Sequence, residues 1–188
     1  MFIYLQYVLL IFLHTHLLTP PAPAGLHPPE HISKQEGIVW SQSRKLSWDD
    51  FQSEVDSQET LHAMTATNID VKAHCYGNLI KYDVKSVFVT EESWSKNKLS
   101  AKLLAHEQLH FDLTEIHARL LRKKLSENIN LCSKGGDELD KLTSKQFSDW
   151  KQEQDQYDEE TNHGLDEVKQ KYWEALISLR LHQLKANA

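Results

Sequence analysis

Residues 106 to 110 read His-Glu-Gln-Leu-His, two imidazoles four positions apart with a carboxylate between them. On a helix, positions i and i+4 lie one turn apart on the same face, so His106 and His110 can meet a single ion. Glu107 is rotated about 100° from His106, which sets it beside that ion rather than in line with it. The placement suits a general base acting on a zinc-activated water. Zinc lowers the water's pKa toward roughly 7, Glu107 takes the proton, and the water attacks a polarised carbonyl. Glu107 then returns the proton to the leaving amine. The competing reading is two polar residues on a helix flank. In a chain with 11 histidines, the pattern arises by chance at a rate on the order of a few per cent.

A catalytic zinc takes a third protein ligand and keeps an open position. Helix geometry eliminates the neighbours. Glu115 faces away from His106 by about 180°, Asp112 points off the metal line, and His117 regains the face only about 10 Å further along the axis. The metzincin extension would place Gly at 113 and His at 116; this chain has Leu113 and Ile116. The third ligand therefore comes from a distant segment. The best candidate is His163, with Glu160 and Glu159 as rivals, in Tyr157-Asp158-Glu159-Glu160-Thr161-Asn162-His163-Gly164. Tyr157, Glu160, His163 and Gly164 fall along one helical face, and Gly164 permits a close backbone approach or a break. A surface histidine on an acidic helix is an equal reading of His163. Tyr157 either donates to a developing oxyanion or packs.

The elements that must position these residues are legible from periodicity. Thr65, Thr67, Ile69, Val71, Ala73 and Cys75 alternate with more polar residues, Gly77-Asn78 offers a turn, and Ile80, Tyr82 and Val84 alternate in turn. Period two on both sides of a turn predicts an antiparallel hairpin with one buried face. The phase slips near Ser86, which predicts a bulge. Beyond Ser93, apolar residues from Leu99 to Leu125 recur at helical spacing, and the helix is expected to stop near Ser133 because Gly135-Gly136 follows. A second helical stretch runs from Glu138 to Leu184, with Gly164 as its break. The fold class is α+β: a small N-terminal antiparallel sheet followed by two or three long helices, in one domain over residues 37–188.

Composition narrows the partners. A formal net charge of −6 argues against nucleic acid, which requires a basic face. Two cysteines exclude a thiolate-rich site, so a metal is held by imidazole and carboxylate. Cys75 and Cys132 are either a disulfide or two unrelated thiols, since the distance between them is not in the sequence.

The first residues are expected to direct the chain out of the cytoplasm, against the alternative of a cytosolic chain. Phe2 to Leu13 is almost uniformly apolar, too short for an ordinary span of about 20 residues but suited to a signal-peptide core. Ala22-Pro23-Ala24 offers a cleavage pattern with Gly25 as the mature start. Residues 1–24 are thus expected to be a signal peptide, or a membrane anchor if uncleaved, and residues 25–36 a Pro-rich linker.

The chain resembles family 922 of the bacterial domains of unknown function, described as predicted secreted zinc-dependent proteases. The residues that carry the resemblance are Leu46-Ser47-Trp48-Asp49-Asp50-Phe51, Ala63-Met64-Thr65, the strand pair, Ser93-Trp94, Leu103 through Asp112, Glu115, Ala118-Arg119, and Tyr157 through Gly164. The resemblance implies a zincin-like, exported peptidase, and it favours His163 as the third ligand. It implies no particular substrate. The expectation is a metallopeptidase with one zinc ion on His106, His110 and His163, and with Glu107 as base, acting on a protein or peptide outside the cytoplasm. The alternatives are a non-catalytic zinc-binding or partner-binding envelope domain, and a cell-wall peptide amidase. Trp48, Trp94, Trp150 and Trp173 either line a groove or fill the core.

Overall fold

A computed structural model describes residues 37–56, 58–128, 131–132 and 136–188. The expected leader and linker, and Gly135, lie outside the described residues. The strands are β1 (Ile38–Val39), β2 (Ala63–Met64), β3 (Thr67–Tyr76), β4 (Leu79–Phe88) and β5 (Trp94–Ser95). The helices are α1 (Ala101–Glu127), α2 (Gly136–Thr161) and α3 (Glu167–Gln183). One antiparallel sheet has the order β1-β4-β3, and β2 pairs with β5 in a second. The fold is α+β, strands first and helices after, as the patterning predicts.

The period-two residues form the β3–β4 hairpin, turned at Gly77 in the left-handed region (φ 60°). Ile69, Val71, Ala73 and Cys75 stand opposite Ser86, Val84, Tyr82 and Ile80. Ile69 and Val84 bury against Ala118, Leu121, Leu125 and Leu131. The register runs unbroken from Tyr76–Leu79 to Thr67–Phe88, so the bulge expected near Ser86 does not form. Ser86 continues the inward row between Val84 and Phe88, all three buried. A small polar residue on the core face had imitated a phase slip, and its buried hydroxyl has no hydrogen-bond partner among the described residues.

Helix α1 is central: its residues pack on the hairpin on one side and on α2 and α3 on the other. Ser100 caps it, its side chain accepting from the Leu103 N–H at 3.1 Å. The helix ends at Glu127 rather than near Ser133. Asn128 leaves the helical region (φ −95°, ψ 80°) and its amide donates to the Lys124 carbonyl, which turns the chain early. Cys132 then joins Cys75 in a disulfide with 5.5 Å between Cα atoms, clasping the end of β3 to the segment after α1.

The acidic second stretch divides as expected. Asn162, His163 and Gly164 all have positive φ (49°, 54° and 79°), and Asp166 caps α3 by accepting from the Val168 and Lys169 N–H groups. Buried charge ties the remaining ends to α1. Glu115 accepts from Arg119 and Arg122, whose guanidinium groups also reach the carbonyls of Leu181 and Asn187. Asp112 accepts from the Trp40 indole at 2.7 Å and from Lys45. Both acids are occupied in packing, away from the histidine pair. Among the described residues no helix is long and apolar enough to cross a membrane.

Candidate metal centre

The first third of α1 carries His106, Glu107 and His110, 2 % and 3 % exposed for the first two. Tyr157 of α2, fully buried, sets both rings. It stacks on His106 (centroids 4.7 Å apart, 24° between planes) and meets His110 edge-on (4.8 Å, 71°). Its hydroxyl donates to Gln170 Oε1 at 3.0 Å and contacts the His106 carbonyl at 3.3 Å. Burial pushes the phenol well above its usual range. Tyr157 therefore packs and orients; its hydroxyl is engaged away from the cavity.

Two glutamines fix the imidazoles. Gln154 Nε2 donates to the His110 carbonyl and to Thr114 Oγ1, both at 3.0 Å, so its oxygen faces His110 Nδ1 at 2.6 Å. Gln170 Oε1 lies 3.2 Å from His106 Nδ1 while accepting from Tyr157. Each Nδ1–H thus donates to an amide oxygen, and each Nε2 presents a bare lone pair. An outer hydrogen bond of this kind holds a ligating histidine in the correct tautomer.

The two Nε2 atoms lie 3.2 Å apart, and Asp158 Oδ1 is 3.0 Å from each. Three acceptor atoms at this spacing repel unless a proton or a metal cation lies among them. Ligands at roughly 2.0–2.1 Å from a tetrahedral zinc stand about 3.3 Å from one another, so the donor set fits. His106, His110 and Asp158 are a group that could hold a metal ion. Without an ion a proton takes its place between the imidazoles and the carboxylate. Burial alone would raise the Asp158 carboxyl and lower His110, but their mutual hydrogen bonds and charges win. Asp158 is held well below the usual carboxylate range, and His110 is raised.

Asp158 is the residue that sequence reasoning passed over. The signal was present: Phe147, Trp150, Gln154 and Asp158 follow one face of α2, and Asp158 ends a row that otherwise packs inward. His163 is brought close but not into the group. Its Nδ1 is 3.5 Å from the same Asp158 oxygen, and its side chain is 54 % exposed at the rim. Gly164 does make the close approach. A Cβ there would lie 2.9 Å from His106 Cγ, and the residue already sits at positive φ. The rivals are elsewhere. Glu160 is engaged with Gln156, Trp173 and Lys169, and Glu159 is exposed beside a shallow depression with His163.

The group opens onto a cavity of about 780 Å³. Residues 60–67 form one wall, Leu103 to His110 of α1 the floor, and Phe147 to Asp158 of α2 the other wall, with His163 and Leu165 at one end. The Glu107 carboxylate lines this space and takes no hydrogen bond among the described residues. Of the four tryptophans considered for a groove, only Trp150 lines it; Trp94 and Trp173 are buried and Trp48 packs on Phe51.

Residues 45–164 match a family described as a bacterial protein of unknown function (DUF922). The chain belongs to that family. The matched span runs from Lys45, which pairs with Asp112, to Gly164, which abuts His106, and so contains all three members of the group. No curated protein and no solved structure matches the chain. Gln170, which fixes His106, lies on α3 beyond the matched residues of this family member.

Proposed function

We propose that the chain is a zinc metallopeptidase acting outside the cytoplasm. One observation carries the reading: the His106, His110 and Asp158 group lies at the floor of a cleft, beside a Glu107 carboxylate that takes no hydrogen bond among the described residues. A purely structural metal site closes its fourth position and has no use for an adjacent free carboxylate. Three protein ligands and an open side are the arrangement of catalytic zinc. His163, at the rim, is placed to approach substrate or to supplement the ligands. The Cys75–Cys132 disulfide supports an oxidising compartment, in keeping with the apolar leader.

His106, His110 and Asp158 would hold the ion, which would make water acidic near neutral pH and polarise a carbonyl oxygen. The chain's own groups do the rest. Glu107 takes a proton from the attacking water as its oxygen bonds to the carbonyl carbon, then delivers that proton to the amine nitrogen as the C–N bond breaks. Gln154 and Gln170 hold the imidazoles in register, which limits reorganisation during the reaction.

The test pairs metal content with turnover. Glu107→Gln should retain zinc at wild-type stoichiometry and lose at least a hundredfold in peptide hydrolysis, the scale of a lost general base. His106→Ala and Asp158→Ala should lose both. A fully zinc-loaded wild type that cleaves no member of a broad peptide library refutes the peptidase reading.

A further inference from the structure

The cleft that opens on the metal group carries one lysine, and it forms no ion pair among the described residues. Lys151 lines the wall formed by α2 and is exposed. Other lysines of this region are paired: Lys145 with Asp149, Lys141 with Glu138, and Lys169 with Glu160. Lys151 forms no ion pair among the described residues, Asp155 one turn away included. The carboxylates lining the same cleft are Glu107 and Asp158, both at the metal end. Phe147 and Trp150 share its wall, and Leu61 and Met64 line the wall formed by residues 60–67. An ammonium on a cleft wall steers an incoming carboxylate toward that wall.

Position sets where that carboxylate belongs on a bound chain. Lys151 precedes Asp158 by seven residues, about 10 Å along the helix axis at 1.5 Å per residue. An extended peptide rises about 3.3 Å per residue. A carbonyl seated over the metal group therefore places the second or third residue beyond it alongside Lys151.

We infer that Lys151 makes the cleft selective for peptides bearing a carboxylate two or three residues from the reacting carbonyl. The inference rests on the peptidase reading and names its substrate class. The carboxylate is either an acidic side chain or a free C-terminus, since both present the same group to the ammonium. Lys151 is a specificity residue and takes no part in the proton transfers.

The experiment uses the zinc-loaded chain with octapeptide pools. The pools carry Glu, Gln or Lys fixed at each position in turn, and each is made with a free or an amidated C-terminus. Wild type should cleave pools with a suitably placed carboxylate about tenfold faster than their Gln or amidated counterparts. A preference for Glu within amidated pools identifies the side chain; a preference confined to free C-termini identifies the terminus. Lys151→Gln should flatten the preference to under about threefold, and Lys151→Glu should turn it toward Lys-bearing pools. An acid preference that survives Lys151→Glu, or no preference in wild type, overturns the inference. Binding of the same pools, fluorescein-labelled, to Glu107→Gln by anisotropy separates the two claims. Acid-selective binding that Lys151→Glu abolishes, without cleavage by wild type, upholds Lys151 and refutes hydrolysis. Cleavage without charge preference does the reverse, and neither binding nor cleavage refutes both.

Discussion

Replacing Gln170 by leucine tests whether the outer hydrogen bonds tune the metal group or merely fill space. Gln170 is buried, and its Oε1 accepts from both His106 Nδ1 and the Tyr157 hydroxyl. Leucine preserves most of the volume, orphans His106 Nδ1–H and leaves the Tyr157 hydroxyl only its longer contact with the His106 carbonyl. The buried orphan costs about 1–3 kcal/mol, and the weakened phenol contact adds to it. The amide Nε2 of Gln170 already has no partner, so its removal returns part of that cost, and the net loss in the metal-free chain is about 2 kcal/mol. A second effect appears only with metal. Without its acceptor, His106 loses the preference for a bare Nε2, and affinity falls roughly tenfold to a hundredfold. At saturating zinc each factor of ten in affinity for the folded chain removes about 1.4 kcal/mol more.

Urea unfolding with and without zinc measures both terms, and competition against a chromophoric chelator measures affinity directly. The loss should be about 2 kcal/mol without metal and about 3–5 kcal/mol with it. Gln170→Glu keeps an acceptor for both donors and removes the unpartnered amide, so it should retain most of the affinity that leucine loses. Equal losses with and without zinc would refute the coupling. So would wild-type affinity in Gln170→Leu.

Two further perturbations address the scaffold. Opening the Cys75–Cys132 disulfide frees a 57-residue separation, for which loop closure gives an upper estimate of about 4 kcal/mol. Cys75→Ala with Cys132→Ala should therefore lower the urea midpoint markedly, and reductant should have the same effect on wild type and none on the double variant. Acid should remove the contribution of Glu153, whose carboxyl is lowered to about 2. Burial opposes that shift, and the hydrogen bonds of His117 and Arg180 overcome it. Because the folded value lies below the unfolded one, the stabilisation is full above about pH 4.5 and disappears as pH falls toward 2. Its size is on the order of 3 kcal/mol. Glu153→Gln should flatten the urea midpoint between pH 5 and 2.5, and an unchanged slope there would count against the assignment.

The difference between the residues that were legible in the sequence and those that were not is physical. The spacing of His106 and His110 is a property of one helix, fixed by covalent geometry, so their convergence follows from five letters. The hairpin is likewise local, and Gly77 with its alternating flanks specifies it. Asp158 converges only because α2 packs against α1 through Tyr157, which brings a short carboxylate within 3.0 Å of both imidazoles. Nothing in the spacing of 106 and 158 encodes that distance. His163 attracted attention as an imidazole, the chemically obvious ligand, yet the turn that lets Gly164 touch His106 also carries the His163 side chain outward to the rim. Ser86 misled for the opposite reason, since polarity does not reveal which face of a strand is buried.

The same distinction explains how the group is stabilised. Its three candidate ligands come from two helices, but the hydrogen bonds that aim them come from α2 and α3, through Gln154 and Gln170. Helix α3 is itself held to α1 by Trp173 and Ile177 in the core and by Arg119 on the Leu181 carbonyl. A shift of α3 would therefore withdraw the acceptor from His106 Nδ1 without touching a ligand. An ion bound among His106, His110 and Asp158 in turn favours the packing in which that acceptor is in place, since binding stabilises only the arrangement that presents both bare nitrogens. Metal affinity and the docking of α3 are thus two readings of one equilibrium, joined at Gln170.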